Sequence, residues 1–250
     1  MKILIAGYGN IGKLEYQKYS TKYDVDIYDK FKEEYNNLNN IEYDFCIVCV
    51  DTPLTKTKIL DISAVEDVIK TVKAKIFICR STLPINTSDY LMDKYKIKFV
   101  MYPEFYGTTQ HANNFTFNFS ILGGHKEDCY KVQHMLQGIY DATHAFHVVN
   151  AKTAEIVKLF ENTVLFSKVV IFAELWEICN KFGIDFEEVR ECLTEDIRIG
   201  KHHTFIDPEH PFAKSHCMDK DVPALAEQGE SALFKAIIKA NTLKIKKYKN

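Results

Sequence analysis

The sequence lacks the long apolar runs, the blocks of like charge and the repeats that define several classes of protein. No apolar run approaches the roughly 20 residues of a membrane-spanning helix, and no signal peptide precedes the first apolar stretch. The formal net charge is −2, and the charged residues form no long block of one sign. These absences predict a soluble, cytoplasmic protein with no membrane partner and no nucleic-acid partner.

An ordered set of cysteine or histidine ligands is also missing. The seven cysteines are odd in number and scattered, which predicts reduced thiols rather than a disulfide framework. Cys46 and Cys49 form a C-x-x-C pair, but they lie in the apolar stretch 45–50 and no second pair follows. Zinc requires four convergent ligands, and the histidines of the segment 202–216 are irregularly spaced. We therefore predict no metal site.

The N terminus of the sequence carries a strand–turn–helix pattern. Residues 2–6 form a short apolar run, which is typical of a buried parallel strand. A complete G-x-G-x-x-G motif follows directly and consists of Gly7, Tyr8, Gly9, Asn10, Ile11 and Gly12. In this motif the first glycine makes a tight turn, the second admits a pyrophosphate, and the third lets a helix pack on the strand. The phosphates bind at the start of that helix, where the N–H groups are unpaired.

A second expected strand, residues 25–28, ends in Asp29. A carboxylate at this position can accept both hydroxyl groups of a ribose and would repel a 2′-phosphate. The pattern therefore predicts that the first thirty residues bind a dinucleotide, and that this dinucleotide is NAD rather than NADP.

The rest of the chain divides into two regions with different sequence patterns. Short apolar runs alternate with helical patterns up to about residue 145, as in a parallel α/β sheet. Residues 151–182 contain neither glycine nor proline and carry apolar residues at helical spacing, which predicts one long helix. We expect strands at 2–6, 25–28, 45–50, 75–79, 97–101, 118–122 and 145–149, and helices at 63–73, 86–95, 125–138, 151–182, 185–195, 217–229 and 230–248. The predicted fold class is α/β: a Rossmann-type parallel sheet domain, residues 1–149, followed by an all-helical domain, residues 150–250, with one long central helix.

Five short segments resemble motifs of the UDP-glucose/GDP-mannose dehydrogenase family, and they occur in the family's order. They are Cys49–Pro53, Arg80–Pro84, Tyr102–Phe105, Ala154–Asn162 and Cys217–Asp221. The resemblance implies oxidation of the primary alcohol of a nucleotide sugar to an acid, with NAD as cofactor. It also implies a homodimer, which the length of the helix 151–182 favours as well.

The resemblance implies a role for each of six candidate catalytic residues. Cys217 is the nucleophile that holds an aldehyde as a thiohemiacetal, with Lys220 and a helix start nearby to favour the thiolate. Lys158 and Asn162, four residues apart on one helix face, stabilise the oxyanions. Glu104 is the base that activates water. Asp221 orients a water or Lys158, and Thr82 holds the same water.

The same resemblance indicates which residues bind cofactor and substrate. Besides the glycine motif and Asp29, the cofactor residues are Val50, Thr52, Pro53, Ser81, Thr82 and Lys220. The expected substrate residues are Glu104, Phe105, Tyr106, Lys158 and Arg198. Arg198 corresponds to an arginine that reaches into the site of a neighbouring subunit.

Three departures from the family pattern leave alternatives open. Thr108 and Thr109 stand where the family has glutamate and glycine, and the segment 212–216 carries none of the family's glycines. The sequence ends at Asn250, where the family continues into a third domain that binds UDP. The alternatives are a two-electron 3-hydroxyacid-type dehydrogenase and a non-catalytic NAD-binding protein of the same fold. Retention of Cys217 and Asp221 favours the nucleotide-sugar dehydrogenase, and loss of the glycines favours the non-catalytic protein.

Overall fold

The computed structural model describes residues 1–38, 41–106 and 117–249. These residues form two compact units. The first comprises Met1–Phe105 and Phe117–Lys158, and the second contains Tyr106 and the chain from Leu159 onward. The predicted domain boundary between residues 149 and 150 falls where the long helix begins, and it stays a prediction.

The first unit contains a seven-stranded sheet with the order β2-β1-β3-β4-β5-β6-β7. The strands are β1 (Lys2–Ala6), β2 (Asp24–Tyr28), β3 (Tyr43–Val48), β4 (Ala74–Cys79), β5 (Phe99–Met101), β6 (Phe119–Gly123) and β7 (Ala145–Val149). Neighbouring strands run parallel except β5 and β6, which pair antiparallel through Met101 and Gly123 alone. The predicted parallel sheet is thus confirmed apart from this one pair.

Eight α-helices and a short 3-10 helix, Glu33–Tyr35, complete the described chain. The α-helices are α1 (Asn10–Tyr19), α2 (Ser63–Thr71), α3 (Thr87–Tyr95), α4 (Lys126–Gln137), α5 (Ala151–Phe182), α6 (Phe186–Thr194), α7 (Met218–Gln228) and α8 (Ala232–Tyr248). Every predicted strand and helix is present, and the ends differ by no more than two residues. The Rossmann-like fold class is therefore confirmed. None of the helices in the described ranges is both long enough and apolar enough to cross a membrane.

Burial of the sheet on both faces explains why its strands are apolar without alternation. Leu4 belongs to one buried cluster, with residues of α2 and α3, whereas Ile3 and Ile5 belong to another, with residues of α4. Successive side chains of a strand point to opposite faces, so a sheet covered by helices on both faces needs apolar residues at every position. The parallel strands β1, β3, β4 and β5 end at one edge of the sheet, where ligands bind in such folds.

In the second unit, residues of helix α5 pack against the segments that follow it. Phe166 and Val170 form a buried cluster with Ala213 and Val222. Helix α6 begins after Asp185, whose carboxylate accepts a hydrogen bond from the Glu187 N–H at 2.9 Å. An aspartate at the N-cap pairs one of the N–H groups that a helix start leaves unpaired. This unit therefore consists of helices arranged along the second half of α5.

Candidate active site

The three glycines of the N-terminal motif hold two backbone segments in close contact. Gly7 has a φ of +93°, and a Cβ atom there would lie 2.7 Å from the Cys49 carbonyl oxygen. A Cβ atom on Gly12 would lie 1.9 Å from the Gly7 carbonyl oxygen, whereas one on Gly9 would meet nothing within 4 Å. The first and third glycines thus allow close backbone packing, and the second leaves open space beside the loop. This is a cradle that fits a pyrophosphate.

The surroundings of the glycine loop also fit a dinucleotide. Helix α1 begins at Asn10 without a side-chain cap, which leaves its first N–H groups available to phosphate oxygens. The Asp29 carboxylate accepts hydrogen bonds from the N–H groups of Tyr8, at 2.8 Å, and Phe31, at 3.0 Å. Asp29 is therefore held against the glycine loop at the end of β2, where the sequence pattern places it.

The segments after β3 and β4 are joined by hydrogen bonds between predicted cofactor residues. The Ser81 hydroxyl donates to the Val50 carbonyl oxygen at 2.6 Å. The buried Thr52 hydroxyl donates to the Thr82 carbonyl oxygen at 2.8 Å. Pro53 follows at the surface. The structure thus brings four of the predicted cofactor residues together, and their role in binding stays a prediction.

A buried arginine that the sequence analysis did not single out supports the Pro-Glu-Phe segment. The Arg80 guanidinium donates to the carbonyl oxygens of Tyr102, at 2.8 Å, and Pro103, at 3.0 Å, and it lies 3.3 Å from Glu15. Burial alone would raise the pKa of Glu15, but the charges of Arg80 and Lys18 lower it below the usual value. The sequence signal for this network is an arginine directly after the apolar strand β4.

Glu104, Phe105 and Lys158 form the second group of predicted residues in the first unit. Glu104 is buried directly after Pro103, and the buried Lys158 ammonium lies 5.2 Å from the centre of the Phe105 ring. A cation at this distance from an aromatic face is attracted to it. Tyr106 is exposed. Thr108 and Thr109 lie outside the described residues.

Another buried carboxylate in the long helix has a structural role that sequence reasoning missed. Glu155 accepts hydrogen bonds from the Asn86 N–H at 2.7 Å, and from the N–H and hydroxyl groups of Ser88 at 2.6 and 2.7 Å. It pairs N–H groups at the start of α3, and its burial raises its pKa. Glu155 therefore fixes α5 to α3, three residues before Lys158.

In the second unit the predicted residues Asn162, Lys220 and Asp221 form one hydrogen-bonded cluster, in which Asn162 and Asp221 are buried and Lys220 is partly buried. Asn162 donates from Nδ2 to Oδ2 of Asp221 at 2.6 Å, and the Lys220 ammonium lies 2.8 Å from Oδ1. Asp221 is fully buried, and both of its oxygens have partners. The sequence analysis expected Asp221 to orient Lys158 or a water and Lys220 to act on the thiol. Both roles stay predictions, and the hydrogen bonds described here join Asp221 to Asn162 and Lys220.

Cys217 is the N-cap residue of α7, directly before the first helical turn, and it is exposed. The Asp221 N–H donates to the Cys217 carbonyl oxygen at 3.0 Å, so thiol and cluster are one turn apart. Ser215 caps this turn, because its hydroxyl accepts from the Met218 N–H at 3.0 Å and its carbonyl from the Asp219 N–H at 3.1 Å. The N terminus of a helix stabilises a thiolate. The cap by Ser215 was missed, although serine just before a helical pattern is its ordinary signal.

Arg198, a predicted substrate residue, lies in the second unit between α6 and α7. Its side chain is exposed and pairs with Asp196 at 2.6 Å. Its predicted contact with a neighbouring subunit stays a prediction. Across the described ranges, histidine, cysteine, aspartate and glutamate residues form no group of three or more suited to a metal ion.

Two family models match the chain. Residues 30–144 match the NAD binding domain of the UDP-glucose/GDP-mannose dehydrogenase family, and residues 152–245 match its central domain. The matches cover most of the sequence and confirm the resemblance found in its motifs. The chain belongs to the UDP-glucose/GDP-mannose dehydrogenase family, and its cofactor is NAD.

Relatives of known name are similar over most of this chain. It is 26% identical over 219 residues to UDP-glucose 6-dehydrogenase TuaD of Bacillus subtilis, covering 79% of this chain and 46% of the relative. It is 28% identical over 230 residues to UDP-glucose 6-dehydrogenase of Rickettsia felis, covering 85% of this chain and 50% of the relative. The chain thus spans about half the length of the curated relatives it matches.

The fold is also that of solved nucleotide-sugar dehydrogenases. A UDP-glucose dehydrogenase from the hyperthermophilic archaeon Pyrobaculum islandicum matches with a TM-score of 0.79 at 20% identity. The match covers 97% of this chain and 68% of that chain. At this identity the likeness concerns the fold alone.

Proposed function

We propose that this protein is an NAD-dependent dehydrogenase that oxidises the primary alcohol of a UDP-glucose-like nucleotide sugar to the uronic acid through Cys217. The observation that carries the proposal is the exposed Cys217 one helical turn from the hydrogen-bonded cluster of Asn162, Lys220 and Asp221. A two-electron alcohol oxidation needs no thiol, whereas an aldehyde that must be oxidised again is held by one. Two relatives that carry the name UDP-glucose 6-dehydrogenase support the substrate class.

The residues have the following proposed roles. Lys158 and Asn162 donate to the oxygen of the reacting carbon, first as an alkoxide and later as a tetrahedral oxyanion. Cys217 adds to the aldehyde carbon to give a thiohemiacetal, whose oxidation leaves a thioester. Glu104 takes a proton from the water that hydrolyses this thioester. Asp221 holds Asn162 and Lys220 in place, and Thr82 orients the water.

NAD supplies the hydride acceptor for both oxidations. The glycine loop, the start of α1 and Asp29 would hold it, together with Val50, Thr52, Pro53, Ser81, Thr82 and Lys220. The net reaction consumes one alcohol, two NAD and one water, and it yields one carboxylate, two NADH and three protons. Phe105, Tyr106 and Arg198 are proposed to contact the substrate.

We further propose that two copies of the chain associate through α5. Apolar side chains on this helix are exposed at spacings of four and seven residues: Ile156, Phe160, Val164, Ile171, Ile178 and Phe182. Such a stripe repeats close to the helical period and is typical of a helix that packs against another helix. The partner in this proposal is a second copy of the chain, which presents the same stripe.

Measurement of the product ratio tests the proposed reaction. UDP-, GDP- and free sugars are incubated with protein and NAD, and NADH and acid are quantified. We expect two NADH for each acid, loss of acid formation in Cys217→Ser, and little change in the control Cys192→Ser, whose thiol is exposed on α6. One NADH per product with full activity of Cys217→Ser identifies the 3-hydroxyacid-type alternative. No NADH from any substrate, with NAD still bound, identifies the non-catalytic alternative.

A further inference from the structure

The segment that leads to Cys217 contains two buried residues, Phe212 and Ala213, although it belongs to no helix or strand. Phe212 and Ala213 are 7% and 2% exposed. The Ala213 side chain packs in a cluster with Phe166 of α5 and Val222 of α7. Because the backbone here is enclosed by apolar side chains, its N–H and C=O groups need partners inside the protein.

One side chain supplies both partners. The Ala213 N–H donates to Oδ1 of Asn241 at 2.8 Å, and Nδ2 of Asn241 donates to the Ala213 carbonyl oxygen at 2.8 Å. Asn241 lies on α8 and is 4% exposed. An amide has a donor and an acceptor side by side, so it can pair with both polar groups of one residue. A carboxylate could only accept and an ammonium or guanidinium group could only donate, so no charged side chain could make both bonds.

A second anchor lies two residues further along. Ser215 is tied to the start of α7 through its hydroxyl and its carbonyl oxygen. Lys214 is therefore the one residue between two fixed points, and Cys217 follows the second point by two residues. This segment contains no glycine, and its course depends on these side-chain contacts.

We propose that Asn241 is a positioning residue for Cys217: it holds the backbone of Ala213 so that the chain enters α7 with Cys217 at the N-cap. The catalytic meaning of this role rests on the proposed function, whereas the role itself concerns the reactivity of the thiol. Asn241 acts through the backbone and has no contact with the thiol in this assignment.

The test compares the reactivity of two exposed cysteines in the full-length chain. In Asn241→Asp the side chain keeps its size and an acceptor, but an oxygen replaces the donor that faces the Ala213 carbonyl. Alkylation by iodoacetamide is followed for the peptides of Cys217 and Cys192. We expect the rate at Cys217, relative to Cys192, to fall at least about threefold, because the thiolate loses its fixed place at the helix start. Asn180→Asp, the same change at an exposed residue of α5, should leave the ratio unchanged.

An unchanged ratio in folded Asn241→Asp would overturn the proposal, even if the variant melts at a lower temperature. Amide hydrogen exchange of the unmodified chain gives a second test that does not depend on folding of the variant. The Ala213 N–H should exchange at least about 100-fold more slowly than an unprotected amide, and exchange at the unprotected rate would also overturn the proposal. Neither measurement uses a sugar nucleotide. Failure to form NADH would therefore refute the proposed reaction, whereas the alkylation ratio and the exchange rate would still decide the role of Asn241.

Discussion

At the scale of single residues, we propose that the choice of dinucleotide depends on Asp29. Hydrogen bonds from Tyr8 and Phe31 hold its carboxylate beside the glycine loop. A fixed negative charge at this point favours ribose hydroxyls and opposes a phosphate on the same ribose. The carboxylate thus fixes the loop, and we propose that it also selects the cofactor.

We expect Asp29→Ala to relax the preference for NAD over NADP. Removal of the charge should reduce the affinity ratio by roughly tenfold, which corresponds to about 1.4 kcal/mol. Asp29→Asn, which keeps one hydrogen-bond acceptor, should relax the preference as well while it leaves the loop better fixed. Calorimetric titration with both dinucleotides measures the ratio. Asp24→Ala, at the opposite end of β2, is the control, and equal affinities for NAD and NADP in the unmodified chain would contradict the assignment.

Residue by residue, the sequence predicts which groups belong to the site better than it predicts their partners. The motifs indicate Asn162, Asp221 and Cys217 because these residue types occur at a recognisable spacing. The bond between Asn162 and Asp221 joins residues 59 positions apart, and that between Arg80 and Glu15 joins residues 65 positions apart. Contacts at such separations depend on how elements pack, which local spacing does not determine.

At the scale of elements, helices and strands follow the periodicity of the sequence closely. Continuous apolar runs identify the buried strands, and the absence of glycine and proline identifies α5. The antiparallel pairing of β5 and β6 was not predicted. It joins only one residue from each strand, and a single residue pair leaves no recognisable pattern in the amino-acid sequence.

The junction of α5 and α8 contains a carboxylate that affects stability at low pH. Glu177 lies 2.5 Å from the buried Lys244 ammonium and 2.9 Å from that of Lys247. Burial would raise the pKa of Glu177, but hydrogen bonds from Lys244, Lys247 and Tyr248 lower it to about 2. A carboxylate with a lowered pKa stabilises the folded chain above its unfolded pKa, and this contribution is lost as the pH falls through the folded pKa.

We therefore expect Glu177→Gln to destabilise the protein at neutral pH by on the order of 2–3 kcal/mol. The difference from the unmodified chain should shrink between about pH 5 and pH 2, as Glu177 itself becomes protonated. Urea unfolding at a series of pH values measures this difference. Glu174→Gln is the matched control: Glu174 is half exposed, 3.1 Å from Lys244, and such pairs contribute below about 1 kcal/mol. A difference independent of pH would contradict the role of Glu177.

At the scale of the whole molecule, the exposed apolar stripe of α5 predicts that two copies of the chain form a dimer. We expect light scattering at micromolar concentration to give the mass of two chains. Ile171→Glu should shift the protein toward the monomer, because it places a charge in the middle of an apolar contact. Asn180→Glu, an exposed polar residue on the same helix, should have no such effect. A monomeric unmodified chain would refute the proposed association.

The central claim is that Cys217 carries the sugar as a thioester before water releases the acid. The most direct measurement is the mass of Glu104→Gln after incubation with UDP-glucose and NAD, because an amide cannot take the proton from water. We predict that this variant accumulates an added mass equal to the acyl group, that peptide mapping locates it on Cys217, and that it is absent when Cys217→Ser is combined with Glu104→Gln. Formation of acid without any adduct, or an adduct on another residue, would contradict the claim.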